Sequence, residues 1–193
     1  MKYIILFSFL FLSGLSACKR SDHEVSQKER DGLFQRFHGK YKILSSRAEQ
    51  PLDLNFDGVA SFNLKDELPN LVNCNLEIRL PKNTQINFFI EFWPEQVFGG
   101  ANGAAPSAYD PLVEVHYPSQ SVARTFQFSA DKTALLLEED HGSIDQQRYT
   151  RPEAVTVLPE DKIEVVKRKQ FYTTAGWREV RVVTLYERYT MQT

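Results

Sequence analysis

The two runs nearest the C-terminus, Lys162 to Tyr172 and Trp177 to Tyr189, constrain the fold most. Each reads as extended chain, and each carries apolar residues on both faces, Val165 against Val166 and Val182 against Val183. Only Thr173-Thr174-Ala175-Gly176 separates them, so they form one long antiparallel hairpin. Apolar residues on both faces imply a sheet that buries one side fully and the other partly, as a curved sheet or barrel does.

The chain before this hairpin carries further strand signals. Gly39 opens the extended run Lys40 to Ser45, with Tyr41 and Ile43 inward. Between Val72 and Leu80, alternation puts Val72, Cys74, Leu76, Ile78 and Leu80 on one face, and the turn Pro81-Lys82-Asn83 leads into a partner over 84–93. In that partner Ile86, Phe88, Ile90 and Phe92 share a face; Phe88 and Phe92 are expected inward together with Phe126 and Phe128. Strands are also expected near 60–64, 111–117, 122–129 and 133–139, with Asp131-Lys132 and the acidic stretch Glu138 to Asp145 as turns. One helix precedes them: Ser26 and Glu29 stand at capping-box spacing, and Leu33, Phe34 and Phe37 share a side, though Gly32 weakens it. The expected fold is all-β, an up-and-down antiparallel meander closing into a barrel of about 8 to 10 strands behind a short N-terminal helix.

The first 17 residues form a signal-peptide pattern: Lys2, an apolar run from Tyr3 to Leu12 too short to span a bilayer, then small residues up to Ala17. The tetrad Leu15-Ser16-Ala17-Cys18 resembles the lipobox of bacterial lipoproteins. The resemblance implies that Cys18 receives a diacylglyceryl group on its thiol and an acyl chain such as palmitate on its freed amine. It also implies a cell-envelope protein held by its lipid. Lys19, rather than an aspartate, follows the cysteine, which favours the outer membrane, on either its periplasmic face or the cell surface. The expected organisation is signal peptide 1–17, lipidated tether 18–27 and one β-barrel domain 28–193. With Cys18 committed to lipid, Cys74 has no disulfide partner and reads as a small buried hydrophobe.

The segment Phe37-His38-Gly39-Lys40-Tyr41-Lys42 resembles the Gly-x-Trp start of the first strand in lipocalins and lipocalin-like bacterial domains, with Tyr41 in place of the tryptophan. The resemblance implies an up-and-down barrel whose interior holds a small hydrophobic ligand. It also implies a late basic residue packed over the aromatic ring, Arg188 or else Arg178.

Several clusters invite a chemical role. Asp53-Leu54-Asn55-Phe56-Asp57-Gly58 matches positions 1, 3, 5 and 6 of a calcium-binding loop. Asp53, Asn55 and Asp57 would be ligands, with the Val59 carbonyl and Ser61. Position 12 is Leu64 rather than a glutamate, which leaves Asp66 or Glu67 to complete the shell; the competing reading is an Asx-type turn. Glu114 and His116, with Leu112, share one strand face and could serve an enzyme as base and orienting carboxylate, act as two ligands of a transition metal, or lie as a solvated pair. His23, His38 and His141 have local explanations in the tether, at the first strand and in an acidic turn. Phe89, Trp93, Tyr117, Tyr172 and Trp177 could line a binding face, unless a loop or helix covers it. The loop Gly99 to Ala108 is a candidate rim or lid, or an insertion without function.

A net charge of -2 with scattered basic residues marks no nucleic-acid surface. No nucleophile-elbow, zinc-protease, phosphate-loop or Cys-x-x-Cys motif occurs, so a binding role is expected rather than an enzymatic one. The leading expectation is a lipid-anchored envelope binding module with a small hydrophobic ligand; the alternative is an assembly lipoprotein that docks another envelope protein through an outer sheet face. A cavity of roughly 300 Å³ or more would favour the first, and a filled core with an exposed apolar patch the second.

Overall fold

The computed structural model describes residues 26–99, 105–139 and 150–193. The signal peptide, Cys18, most of the tether, His23, His141 and the centre of the Gly99 to Ala108 loop lie outside them. Helix α1 (Gln27–Phe37) begins at the expected cap, where Ser26 Oγ accepts the Glu29 N–H at 3.3 Å. Phe37 is fully buried beneath it, and Leu33 and Phe34 pack against the same core.

The chain then runs through β1 (Gly39–Leu52), β2 (Ser61–Asn63), the short helix α2 (Leu64–Glu67), β3 (Asn75–Arg79), β4 (Asn87–Pro94), β5 (Val97–Phe98) and β6 (Val115–His116). After these come β7 (Ser119–Phe128), β8 (Leu135–Leu137), β9 (Ala154–Val157), β10 (Ile163–Thr173) and β11 (Gly176–Thr190). Eight of these strands form one antiparallel sheet in the cyclic order β1, β3, β4, β7, β8, β9, β10, β11, with β11 returning to pair with β1. The β8–β9 seam is thin, made by the Ala134–Thr156 bridge and a 2.8 Å bond from Val157 N–H to the Thr133 carbonyl. The expected all-β meander is therefore present as a nearly closed, lipocalin-like barrel. Its strongest wall is the predicted hairpin, paired from Ile163–Tyr186 to Thr173–Gly176.

Four expectations change. Val72 belongs to a 3-10 turn and is exposed, so β3 starts at Asn75. The strand expected over 111–117 shrinks to Val115–His116, with residues 111 and 112 in a turn. The strand expected over 60–64 gives way at Leu64 to α2, capped by Asn63 Oδ1 on the Lys65 N–H. The phase of β4 is reversed: Phe89, Glu91 and Trp93 point into the barrel, while Phe88, Ile90 and Phe92 lie half-buried outside. A run with aromatics on both faces does not set its own phase, and here pairing does, with Ile78 opposite Phe89 and Leu76 opposite Glu91. Phe126 and Phe128 do join the core.

Both ends of the barrel are plugged. Phe37 closes the α1 end, its ring 4.9 Å from Phe128. At the opposite end the excursion between β1 and β3 inserts Leu54, Leu64, Leu68 and Leu71, all buried. A shift of register between Ile43 and Ser45 lets β1 bury both Ile43 and Ser46, and Ser46 Oγ meets Thr184 Oγ1 at 2.8 Å inside.

Candidate functional site

The middle of the barrel holds charge. Lys167 Nζ donates to Glu91 Oε1 at 2.9 Å, and the Tyr186 hydroxyl donates to the same oxygen at 2.8 Å. Lys169 Nζ donates to Glu95 Oε1 at 2.5 Å, and the Lys167 ammonium sits 3.7 Å from the centre of the Trp93 ring. Burial pulls Lys167 down to about 8 against the pull of Glu91. Burial alone would raise Glu91, but Lys167, the Tyr186 hydroxyl and Lys169 together outweigh it and hold the carboxyl below its ordinary range. Arg124 is buried in the same interior, and Trp93 Nε1 is buried with no hydrogen-bond partner among the described residues. These side chains share the barrel interior with Tyr41, Phe89 and Tyr186, all buried.

Open space lies instead at the α1 end. A groove of about 920 Å³ runs between α1, the β3–β4 turn and the ends of β7 and β8, with Leu33, Phe34, Ile86, Phe126 and Phe128 as its apolar wall. A polar hollow of about 400 Å³ adjoins it, lined by Ser26, Gln27, Arg30, Lys82, Asn83, Thr84 and Gln85. Arg30 Nη2 donates to the Pro81 carbonyl at 2.9 Å and to the Thr84 carbonyl, which fixes the turn against the helix. Lys82 Nζ lies 4.9 Å from the Phe34 ring centre, and Phe34 stacks on His38 at 4.3 Å. Burial, then the charges of Arg79, Arg188 and Lys82, hold the His38 pKa down, so the ring accepts the Leu80 N–H on Nδ1 at 3.1 Å.

Beside this groove the Gly39 and Tyr41 motif takes shape. Gly39 has φ of 145° and abuts β11, and Arg188, not Arg178, stands opposite Tyr41 in the strand register. Arg188 Nη1 donates to the Gln35 and His38 carbonyls at 2.8 and 3.3 Å, capping the C-terminal end of α1. The Tyr41 hydroxyl donates to the Phe37 carbonyl at 2.7 Å. Arg178 faces Phe171 far along the hairpin.

The remaining sequence candidates fall elsewhere. Asp53, Asn55 and Asp57 direct most of their oxygens to their own turn: Asn55 Oδ1 accepts the Asp57 N–H, Asp57 Oδ1 the Val59 N–H and Asp53 Oδ2 the Gly58 N–H, while Asp53 Oδ1 is buried with no hydrogen-bond partner among the described residues. Glu67 accepts the Leu54 N–H at 2.9 Å, and Asp66 accepts Asn63 Nδ2. Among the described residues no three His, Cys, Asp or Glu side chains are grouped to hold a metal ion. The geometry is that of the Asx-type turn. Glu114 and His116 do share a face, 3.5 Å apart, but their side chains are 74% and 54% exposed rather than set in a cleft. Cys74 is buried, with its thiol pushed up by desolvation and 3.5 Å from Ser119 Oγ.

Of the aromatics proposed for a binding face, Phe89 and Trp93 are interior and Tyr117 and Tyr172 are covered. Tyr172 is sealed by the chain following β4, through paired bonds with the Gln96 side-chain amide and the Asp110 N–H. Trp177 Nε1 donates to the Pro106 carbonyl, so the described part of that loop clasps the hairpin tip. No protein family, curated protein or solved structure matches this chain.

The groove residues Arg30, Lys82 and Ile86 escaped sequence reasoning because they come from a helix and a turn far apart in the chain. The interior charges had a visible signal. Ile163, Val165, Lys167, Lys169 and Phe171 keep one phase, which places both lysines among core residues.

Proposed function

We propose that this chain is a binding module of the bacterial cell envelope, anchored at the outer membrane by lipid on Cys18 and receiving a small hydrophobic ligand. The groove at the α1 end carries this reading. At about 920 Å³ it lies within the size range of ligand sites, whereas the barrel interior is lined by the buried charges of Glu91, Lys167 and Lys169. Its place is also suggestive, because α1 begins nine residues after Cys18 and opens the domain at the tethered end.

A second reading has its own observation. The outer faces of Phe88, Ile90 and Phe92 are only half-buried, and Leu136 nearby in the sheet is 55% exposed. That stripe suits docking to another envelope protein.

Native mass spectrometry of the full chain made in bacteria and released from membranes tests both halves of the first reading. The expected species begins at Cys18, carries the mass of a lipidated cysteine and loses a small molecule on activation. A chain still beginning at Met1 would sink the anchor, and a lipidated chain with no adduct would shift the weight to docking.

A further inference from the structure

Deepening the proposed ligand reading and resting on it, we infer that the α1-end groove is selective for a single-chain anionic amphiphile, with its head in the polar hollow and its chain along the apolar wall. The two spaces share Gln27, Arg30, Lys82 and Gln85, so one molecule can occupy both. Their linings differ. The hollow offers two cations, amides and hydroxyls, and no acidic residue. The adjoining groove supplies Leu33, Phe34, Ile86, Phe126 and Phe128.

The charge of the hollow favours an anion. Among the described residues neither Arg30 nor Lys82 has a carboxylate partner, and Arg30 is held in place by the Pro81 and Thr84 carbonyls. The larger groove carries two charged acids, Asp31, whose Oδ1 accepts Gln27 Nε2 at 2.9 Å, and Glu138, which accepts the Thr125 hydroxyl, but neither lines the hollow where the head would sit. Lys132, also on the wall, pairs with Glu29 at 3.1 Å. An anionic head would gain charge-assisted bonds that the fold leaves unused. A cationic head would meet Arg30 and Lys82 as like charges. A two-chain phospholipid would need a second apolar channel beside the hollow, whose lining is polar.

The test is calorimetric titration of a chain beginning at Lys19, which holds every described element, with dodecanoate, dodecanol and dodecyltrimethylammonium below their micellar concentrations. Dodecanoate should bind at least about tenfold more tightly than the cationic analogue. Two substitutions at exposed positions probe the hollow without disturbing the core, Lys82→Gln and Gln85→Glu. Each should weaken dodecanoate several-fold and leave dodecanol unchanged.

Equal binding of all three probes, unmoved by either variant, would overturn the anionic preference while the binding-module reading stands. Binding of none of them would remove both. Dodecanoate binding that ignores both variants would place the site elsewhere. Retention on vesicles of anionic phospholipid without dodecanoate binding would replace the amphiphile with a membrane surface, and so also overturn the inference.

Discussion

Lys167→Met is expected to lower unfolding stability by about 3–5 kcal/mol in urea denaturation, because it strands a buried carboxylate. Glu91 then keeps the Tyr186 hydroxyl and the more distant charge of Lys169, with no direct counter-ion inside the barrel. Methionine occupies similar space and keeps a sulfur contact with Trp93, so lost volume is not the cause. Converting Glu91 to Met as well should recover much of the loss. The remaining deficit belongs to the orphaned Tyr186 hydroxyl, about 1–3 kcal/mol, and Tyr186→Phe should remove it. Recovery in this order is the signature of a polar network rather than of generic core damage.

Gly39→Ala is the second large effect, with an expected cost of about 2–5 kcal/mol from backbone strain and overpacking together. A Cβ there would stand 2.2 Å from the Thr190 carbonyl oxygen and 3.1 Å from Arg188 Cδ, at φ of 145°. The clash is with backbone, so no rotamer change relieves it. Since Arg188 also caps α1 through Gln35 and His38, the substitution should loosen the helix and the groove beside it. Thermal unfolding followed by near-ultraviolet circular dichroism would register this as a lower midpoint, whereas Gly32→Ala, with open space around it, should leave the midpoint unchanged or raise it.

These residues also show what the sequence discloses. The hairpin of β10 and β11 was legible because turn and strand signals agree over its whole length. The cap of α1 was legible because Ser26 and Glu29 are close in the chain, and Tyr41 and Ile43 because their alternation is unambiguous. The phase of β4 was not legible, since Phe88 and Phe89 compete for the interior and the decision rests on pairing with β3, Ile78 opposite Phe89 and Leu76 opposite Glu91. β9 passed unnoticed because it is four residues long and owes its place to β10. The acidic loop at Asp53 reads both as an Asx turn and as a calcium loop because the two use the same residue types and both turn backbone N–H groups onto Asp and Asn oxygens. The groove has no local pattern, being a junction of α1 with a turn some fifty residues later.

The barrel's central polar fill and its displaced ligand site can be separated by one spectrum. The chain has two tryptophans, Trp93 beside the Lys167 pair and Trp177 at the hairpin tip, so a nitrogen-proton correlation spectrum shows both indoles individually. On titration with dodecanoate, backbone shifts should cluster in residues 27–34, 80–87 and 125–128 while both indole signals stay in place. Movement of the Trp93 indole with the groove signals unchanged would put the ligand inside the calyx and contradict this account.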